Sequence, residues 1–318
     1  MTVRMGAGDF VYDAHEDWAK LPAGWTFREV PDVVCDGQDR VYVFSRGDHK
    51  MVVFDRDGNL VDAWGDGLFD RPHAVTLDLD GTLWCVDDGD HTVRKMTLDG
   101  KVLQTLGTAG QPAPFASGEP FNRPTKVAPD PVTGDLFITD GYGNARVHRF
   151  TREGRHVLSW GAFGIEPGHF NLSHMVVADD AGKLYVADRE NHRIQVFDSE
   201  GNLLTIWQNI HRPCGIYLDK RGSEPLLYVG CLPTALAINA TYPNLGARVS
   251  VRTLDGKEVA WIGAAFKGLE PDRFLAPHGL AVDSRGDLYV GEVSWADYGR
   301  HLNPPQEVRS FRKLVRVR

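Results

Sequence analysis

The sequence predicts an all-β fold, a six-bladed β-propeller whose ring is closed by an N-terminal strand. Three observations predict it. A unit reading roughly Pro-x-x-Val-x-x-Asp-x-x-Gly-x-Leu-Tyr-Val-x-Asp recurs six times. Each unit carries four short strand-like runs within about 40 residues, which is the size of one propeller blade. The sixth unit stops after its third run, so its fourth strand has to come from elsewhere.

The runs follow in order. First strands begin near Pro31, His73, Thr125, His174, Cys214 and His278. Second strands hold Val41–Val43, Leu83–Cys85, Leu136–Ile138, Leu184–Val186, Leu227–Val229 and Leu288–Val290. Third strands hold Met51–Phe54, Val93–Met96, Val147–Phe150, Ile194–Phe197 and Val249–Arg252, with a last one near Val308–Val317. Fourth strands close at Trp64, Leu106, Trp160, Trp207 and Trp261. The runs are rich in β-branched and aromatic residues and are separated by Asp-Gly turns at 57–58, 99–100 and 255–256, which are hairpin signals. Trp25–Val30 stands just before the first strand of copy one, where a fourth strand belongs, and is expected to complete the last blade. Closure of this kind removes open sheet edges. Residues 1–24 are set apart as an N-terminal segment, and 25–318 as a single propeller domain.

Composition agrees with a globular chain. The 318 residues are 42% hydrophobic and 25% charged, with a net charge of −8. That balance supplies no basic footprint for nucleic acid. No stretch is long and apolar enough to span a membrane, and Met1–Tyr12 has no apolar core of a secretory signal. The four cysteines (Cys35, Cys85, Cys214, Cys231) are widely spaced without a Cys-x-x-Cys pair. They read as reduced thiols in a cytoplasmic protein.

One register of the repeat carries chemistry. Five residues before the Asp that ends each first strand stand Pro31, His73, Thr125, His174, Cys214 and His278. The histidines occupy alternate copies, about 120° apart in a six-bladed ring and beside its axis. Three imidazoles so spaced can converge on one ion and leave coordination positions open, as catalytic zinc requires. Packing needs no such alternation. Cys214 shares the register and offers a thiolate.

A second layer stands at the same end, because antiparallel neighbours bring the end of strand two beside the start of strand one. Arg46 in copy one and Arg189 in copy four share one register. Copies one and four are opposite in a six-fold ring, so two guanidiniums are expected to flank the histidines and hold a carboxylate. Pairing with Asp48 or Glu190 is the alternative for these arginines. Tyr142 follows one residue further along in copy three, between two glycines, where its phenol can transfer a proton.

Phe44–His49 (Phe-Ser-Arg-Gly-Asp-His), Arg71–His73, Thr139–Tyr142, Ser173–His174, Ala187–Asn191 and Ala276–His278 together resemble the peptidyl-α-hydroxyglycine α-amidating lyases, a family of NHL repeats. The resemblance runs through nearly the whole chain from Trp25. It implies a six-bladed propeller with zinc on His73, His174 and His278, and functional roles for Arg46, Tyr142 and Arg189. The implied reaction splits a C-terminal α-hydroxyglycine into an amide and glyoxylate, so the expected partner is a small-molecule or peptide substrate with a C-terminal carboxylate.

Several positions depart from the family. Gly143 and Val196 replace two of its cysteines, and Ala276 replaces a methionine near its zinc. Gly279 replaces an aspartate of its structural calcium site, which tells against Ca2+ unless Asp32, at the same register in copy one, substitutes for it. These 318 residues hold no monooxygenase domain, so another α-hydroxy amide can be the substrate. Two other functions fit a propeller: a non-enzymatic interaction platform, and a hydrolase or lactonase. The platform calls for a basic or apolar top face, and the lactonase for acidic metal ligands that the ring register lacks.

Overall fold

The computed structural model describes residues 3–318. Among them, strands form five four-stranded antiparallel sheets and one five-stranded sheet, arranged as a six-bladed β-propeller. Chain contacts divide the molecule into two compact units.

The unit Gly67–Pro213 holds three sheets. Their first strands are Pro72–Leu77, Lys126–Pro129 and Ser173–Ala178, and their second strands Leu83–Asp87, Leu136–Asp140 and Leu184–Asp188. Every residue of these second strands is buried. The cause is the stacking of sheet on sheet, which covers both faces and calls for apolar side chains at successive positions rather than alternate ones. Trp84, Val86, Val127, Ile138 and Phe150 share one interlayer core; Phe137, Val147, Val176, Val186 and Phe197 share the next. Each fully buried side chain of this kind contributes about 1.5–3 kcal/mol. Fourth strands, such as His156–Trp160, are only partly covered, and their sequences are correspondingly more polar.

The second unit combines the chain up to Asp66 with Cys214–Arg318. Its sheets begin with Asp32–Cys35, Pro213–Asp219 and Pro277–Val282. The Asp-Gly turns behave as hairpin signals require: Gly58 and Gly256 sit at φ 79° and 90°, a region that costs glycine nothing.

The last blade is completed by an N-terminal strand, but not by Trp25–Val30. Phe10–His15 pairs antiparallel with Phe311–Arg316, from Tyr12 opposite Arg316 to His15 opposite Lys313. Arg4–Ala7 then adds a fifth strand by pairing with Phe10–His15. Residues set apart as an N-terminal segment thus supply two strands of the last sheet. The run Phe10-Val-Tyr-Asp-Ala-His turns Tyr12 fully into the core, where its hydroxyl meets that of Tyr228 at 3.2 Å. Trp25–Val30 has no strand pairing. Instead Trp25, Phe27 and Val30, with Trp18 and Leu21, pack onto Val43, Phe54, Tyr289 and Phe311. Sequence order alone suggested the wrong segment, because pairing between residues about 300 positions apart is not encoded in local pattern.

The four cysteines are thiols, and all but Cys35 are fully buried. Burial pushes the Cys231 thiol up to about 12 and raises Cys35 well above its ordinary value, so these thiols are poor nucleophiles.

Candidate active site and metal centre

Each ring histidine opens the first strand of its sheet. In the Gly67–Pro213 unit, His73 and His174 are fully buried, and their rings stand 4.9 Å apart at 64°. His73 Nδ1 lies 2.7 Å from the carbonyl oxygen of Thr125. A carbonyl only accepts, so Nδ1 carries the proton and Nε2 keeps its lone pair. In the second unit, His278 makes the equivalent contact, 2.5 Å from Nδ1 to the carbonyl oxygen of Pro31. Thr125 and Pro31 are themselves ring-register residues of the following blades. The repeat therefore orients these imidazoles with the backbone of the next copy. One ligand atom from each of His73, His174 and His278 lies within 4.8 Å of the others, a group able to hold a metal ion. A donor set of imidazole nitrogens, braced in His73 and His278 by hydrogen bonds on the opposite ring nitrogen, suits a divalent metal of the zinc type.

A carboxylate braces the strand behind each histidine. Asp87, Asp188 and Glu292 stand fourteen residues after His73, His174 and His278. Each pairs across the ladder with the residue just before its histidine. Asp87 accepts from the backbone N–H groups of Asp70 and Arg71 at 2.6 and 2.9 Å. Asp188 accepts from that of Asn171 at 2.8 Å, and Glu292 from those of Leu275 and Ala276 at 2.5 and 3.0 Å. Burial raises the pKa of Asp87 and Asp188 above the ordinary carboxylate range. Asp87 and Asp188 were visible in the repeat as the Asp closing strand two, with Glu292 in that place in copy six, but only the fold shows that they fix the loop entering each histidine.

Tyr142 stands between Gly141 and Gly143. Its hydroxyl is 3.2 Å from His73 Nε2 and 3.3 Å from His174 Nε2, and Arg189 Nη1 reaches it at 3.5 Å. The glycines are required by space. A Cβ on Gly141 would sit 2.1 Å from the Ser173 carbonyl oxygen, and one on Gly143 2.1 Å from Asn122 Oδ1. Asp140 holds the same loop by accepting from the Asn122 backbone N–H at 2.9 Å and from Asn144 Nδ2 at 2.7 Å.

Arg189 and Arg46 each have an acidic neighbour. Arg189 Nε bonds Glu190 at 2.7 Å. Burial would raise Glu190, but the Arg212 and Arg189 guanidiniums hold it below its ordinary value. Arg46, in the second unit, pairs with Glu29 at 2.8 Å, both partners being nearly buried. Glu29 also accepts the backbone N–H of Ala296 at 2.8 Å. The segment mistaken for a closing strand therefore serves to hold Arg46.

Arg123 was missed by sequence reasoning. Its guanidinium lies 4.4 Å from the centroid of the Tyr142 ring, within cation–π range, and it shares buried Asp88 with Arg71. Arg71, Arg123 and Arg212 all precede a proline two residues before the ring register, and that Arg-Pro step was the available signal.

Gly279 bears on the calcium expectation. A Cβ there would fall 2.8 Å from Asp32 Oδ1 and closer still to its Cα. The Asp32 carboxylate thus stands against the position where the lyase family carries its aspartate.

Comparison with known proteins agrees with this architecture. The NHL repeat model matches residues 174–197. Human NHL repeat-containing protein 3 is 34% identical over 318 residues, covering 95% of this chain and 87% of that protein. Drosophila melanogaster peptidyl-alpha-hydroxyglycine alpha-amidating lyase 1 is 36% identical over 252 residues, or 73% of this chain and 44% of the relative. The chain spans 33% of the length of Xenopus laevis peptidyl-glycine alpha-amidating monooxygenase A, to which it is 33% identical over 90% of its own length. Among solved structures, a gluconolactonase from Xanthomonas campestris superposes with a TM-score of 0.61 at 15% identity, covering 97% of this chain and 90% of that one; the likeness is one of fold. With this fold, these repeats and relatives at this level of identity, the chain belongs to the NHL-repeat family that includes the peptidyl-α-hydroxyglycine α-amidating lyases.

Proposed function

We propose that the protein is a zinc-dependent lyase that cleaves the C–N bond of an α-hydroxyglycine-type carbinolamide, giving an amide and glyoxylate. The observation that carries the reading is the Tyr142 hydroxyl within 3.2–3.3 Å of Nε2 on both His73 and His174, with Arg189 at 3.5 Å. A phenol, two imidazoles and a guanidinium meet within 3.5 Å of one oxygen, which supports assigning them proton transfer, metal ligation and carboxylate binding. The lyase names among the relatives support the same reaction class.

His73, His174 and His278 are the residues that would hold the metal. When bound, it supplies a Lewis acid that makes the substrate α-hydroxyl easier to deprotonate. Tyr142, acting as its phenolate, takes the hydroxyl proton and returns it to the departing nitrogen. The oxygen lone pair then forms the aldehyde C=O, the C–N bond breaks, and its electron pair passes to nitrogen, which gains a proton and leaves as the amide. No oxidant is needed. Arg46 and Arg189 are assigned to the substrate carboxylate; Arg189 Nη1 also lies 3.5 Å from the tyrosine oxygen. A guanidinium does not serve as the base, because it stays protonated in proteins. Among the described residues no helix is long and apolar enough to cross a membrane.

The test is direct. Zinc-loaded protein is incubated with N-benzoyl-α-hydroxyglycine, and glyoxylate and benzamide are measured in equal amounts. Release that disappears after chelation and returns with zinc supports the reading. Failure to release glyoxylate from N-acyl and peptidyl α-hydroxyglycines by the zinc-loaded protein overturns it.

A further inference from the structure

Two loops of the Gly67–Pro213 unit expose aromatic rings at the end that carries His73, His174 and Tyr142. Phe115 lies in the loop entering Lys126–Pro129, and Phe163 in the loop entering Ser173–Ala178. They are 71% and 45% exposed, yet their rings stack with centroids 5.3 Å apart and planes at 26°. Ile165, 72% exposed, follows two residues on. Apolar side chains scattered singly on a surface need no explanation, but a stacked pair beside a catalytic constellation does.

The two loops are tied to the two catalytic loops. The backbone N–H of Ala116, next to Phe115, donates to the carbonyl of Gly143, next to Tyr142, at 2.8 Å. Gly118 N–H donates to Asn144 Oδ1 at 3.1 Å, and Asn144 Nδ2 to the Glu119 carbonyl at 2.8 Å. On the other side, Asn191 Nδ2 donates to the Gly164 carbonyl at 2.9 Å, and Arg193 to the Ile165 carbonyl at 2.8 Å. Asn191 closes the 3₁₀ turn that begins with Arg189. Phe115 is therefore anchored to the Tyr142 loop, and Phe163 to the Arg189 turn.

From this placement we propose that Phe115 and Phe163 form a specificity platform for an apolar acyl or aryl group on the nitrogen side of the substrate. The inference rests on the lyase reading. With the hydroxyl at Tyr142 and the carboxylate at Arg189, the amide carbonyl and its substituent extend away from both. The exposed surface anchored to those two loops is aromatic and flat, which favours aryl and planar acyl groups. A free amino acid end, being charged and hydrated, gains nothing from such a surface.

The experiment compares kcat/KM for N-benzoyl- and N-acetyl-α-hydroxyglycine in zinc-loaded wild type, Phe115→Ala, Phe163→Ala and Phe115→Tyr. The wild type is expected to favour benzoyl. Each alanine variant should reduce that preference by about three- to tenfold, the range of one aromatic contact. Acetyl turnover should stay within about twofold, and Phe115→Tyr should keep the preference. A benzoyl-to-acetyl ratio unchanged in both alanine variants overturns the platform while leaving the lyase reading intact. Equal loss for both substrates, with a lower melting temperature, also overturns it and makes the pair a structural brace. Absence of turnover for both substrates in the wild type instead overturns the lyase reading.

Discussion

His73 Nδ1 donates to the Thr125 carbonyl at 2.7 Å, so the residue at the ring register of one blade aims the imidazole of the blade before it. His278 and Pro31 repeat the relation. The consequence is a fixed tautomer with Nε2 available as a ligand, and from it the first prediction follows. Purified protein should retain about one zinc per chain. Replacing His73, His174 or His278 by Ala should lower metal content and turnover together, as read by elemental analysis. Full zinc content in the triple variant would refute the assignment.

Tyr142→Phe removes the oxygen that both imidazoles and Arg189 approach, while keeping the ring. We expect zinc content and melting temperature close to wild type and kcat lower by about 10²–10⁴-fold. A nearly normal kcat would take the tyrosine out of the proton transfer.

Arg46 and Glu29 form a nearly buried pair, so removing either charge alone strands the other. Arg46→Ala should cost about 3–5 kcal/mol of stability and weaken binding of carboxylate-bearing substrates. Arg189 sits beside a more exposed acid; Arg189→Ala should raise KM for the same substrates with a smaller fall in melting temperature. Thermal melts alongside KM values for charged and uncharged substrates check both statements. Unaltered KM in both variants would remove the arginines from carboxylate binding.

His211 supplies a pH dependence. Burial, then the nearby His192 and Arg212, lower its pKa to about 4, and its Nε2 has no hydrogen-bond partner. The unfolded chain, with the ordinary value of about 6.5, binds the proton first as pH falls. Stability should therefore be full above about pH 6.5 and decline toward pH 4, by about 1–2 kcal/mol once partial exposure is discounted. His211→Gln should flatten the melting temperature across that window. A wild-type slope retained in the variant would assign the effect to other groups.

The closing strand is testable through Tyr12, which is fully buried in the core that joins the N-terminal strand to the last sheets. Tyr12→Ala should destabilise by about 3–5 kcal/mol and promote association through the loosened sheet edge. Denaturant melts and light scattering measure the two effects. Stability within about 1 kcal/mol of wild type would show that closure does not depend on this strand.

The three-histidine group was legible in the sequence. The repeat itself places His73, His174 and His278 at one register and Arg46 and Arg189 at another, because a fixed period turns sequence offsets into positions on a ring. The glycines around Tyr142 stood out in the sequence, but their close approach to Ser173 and Asn122 is visible only in the structure. Arg123, Asp88 and Glu29 were not legible as site residues, since each acts through a partner supplied by another segment.

The sequence by itself determined the number of blades, the strand order within each, and which residue types meet at the histidine register. These follow from periodicity and turn chemistry, which are local. Only the tertiary structure decided which N-terminal run completes the last blade, which acid holds Arg46, and which loops present Phe115 and Phe163. Those choices depend on pairings between residues distant in the chain, where several segments have similar local character and packing selects among them.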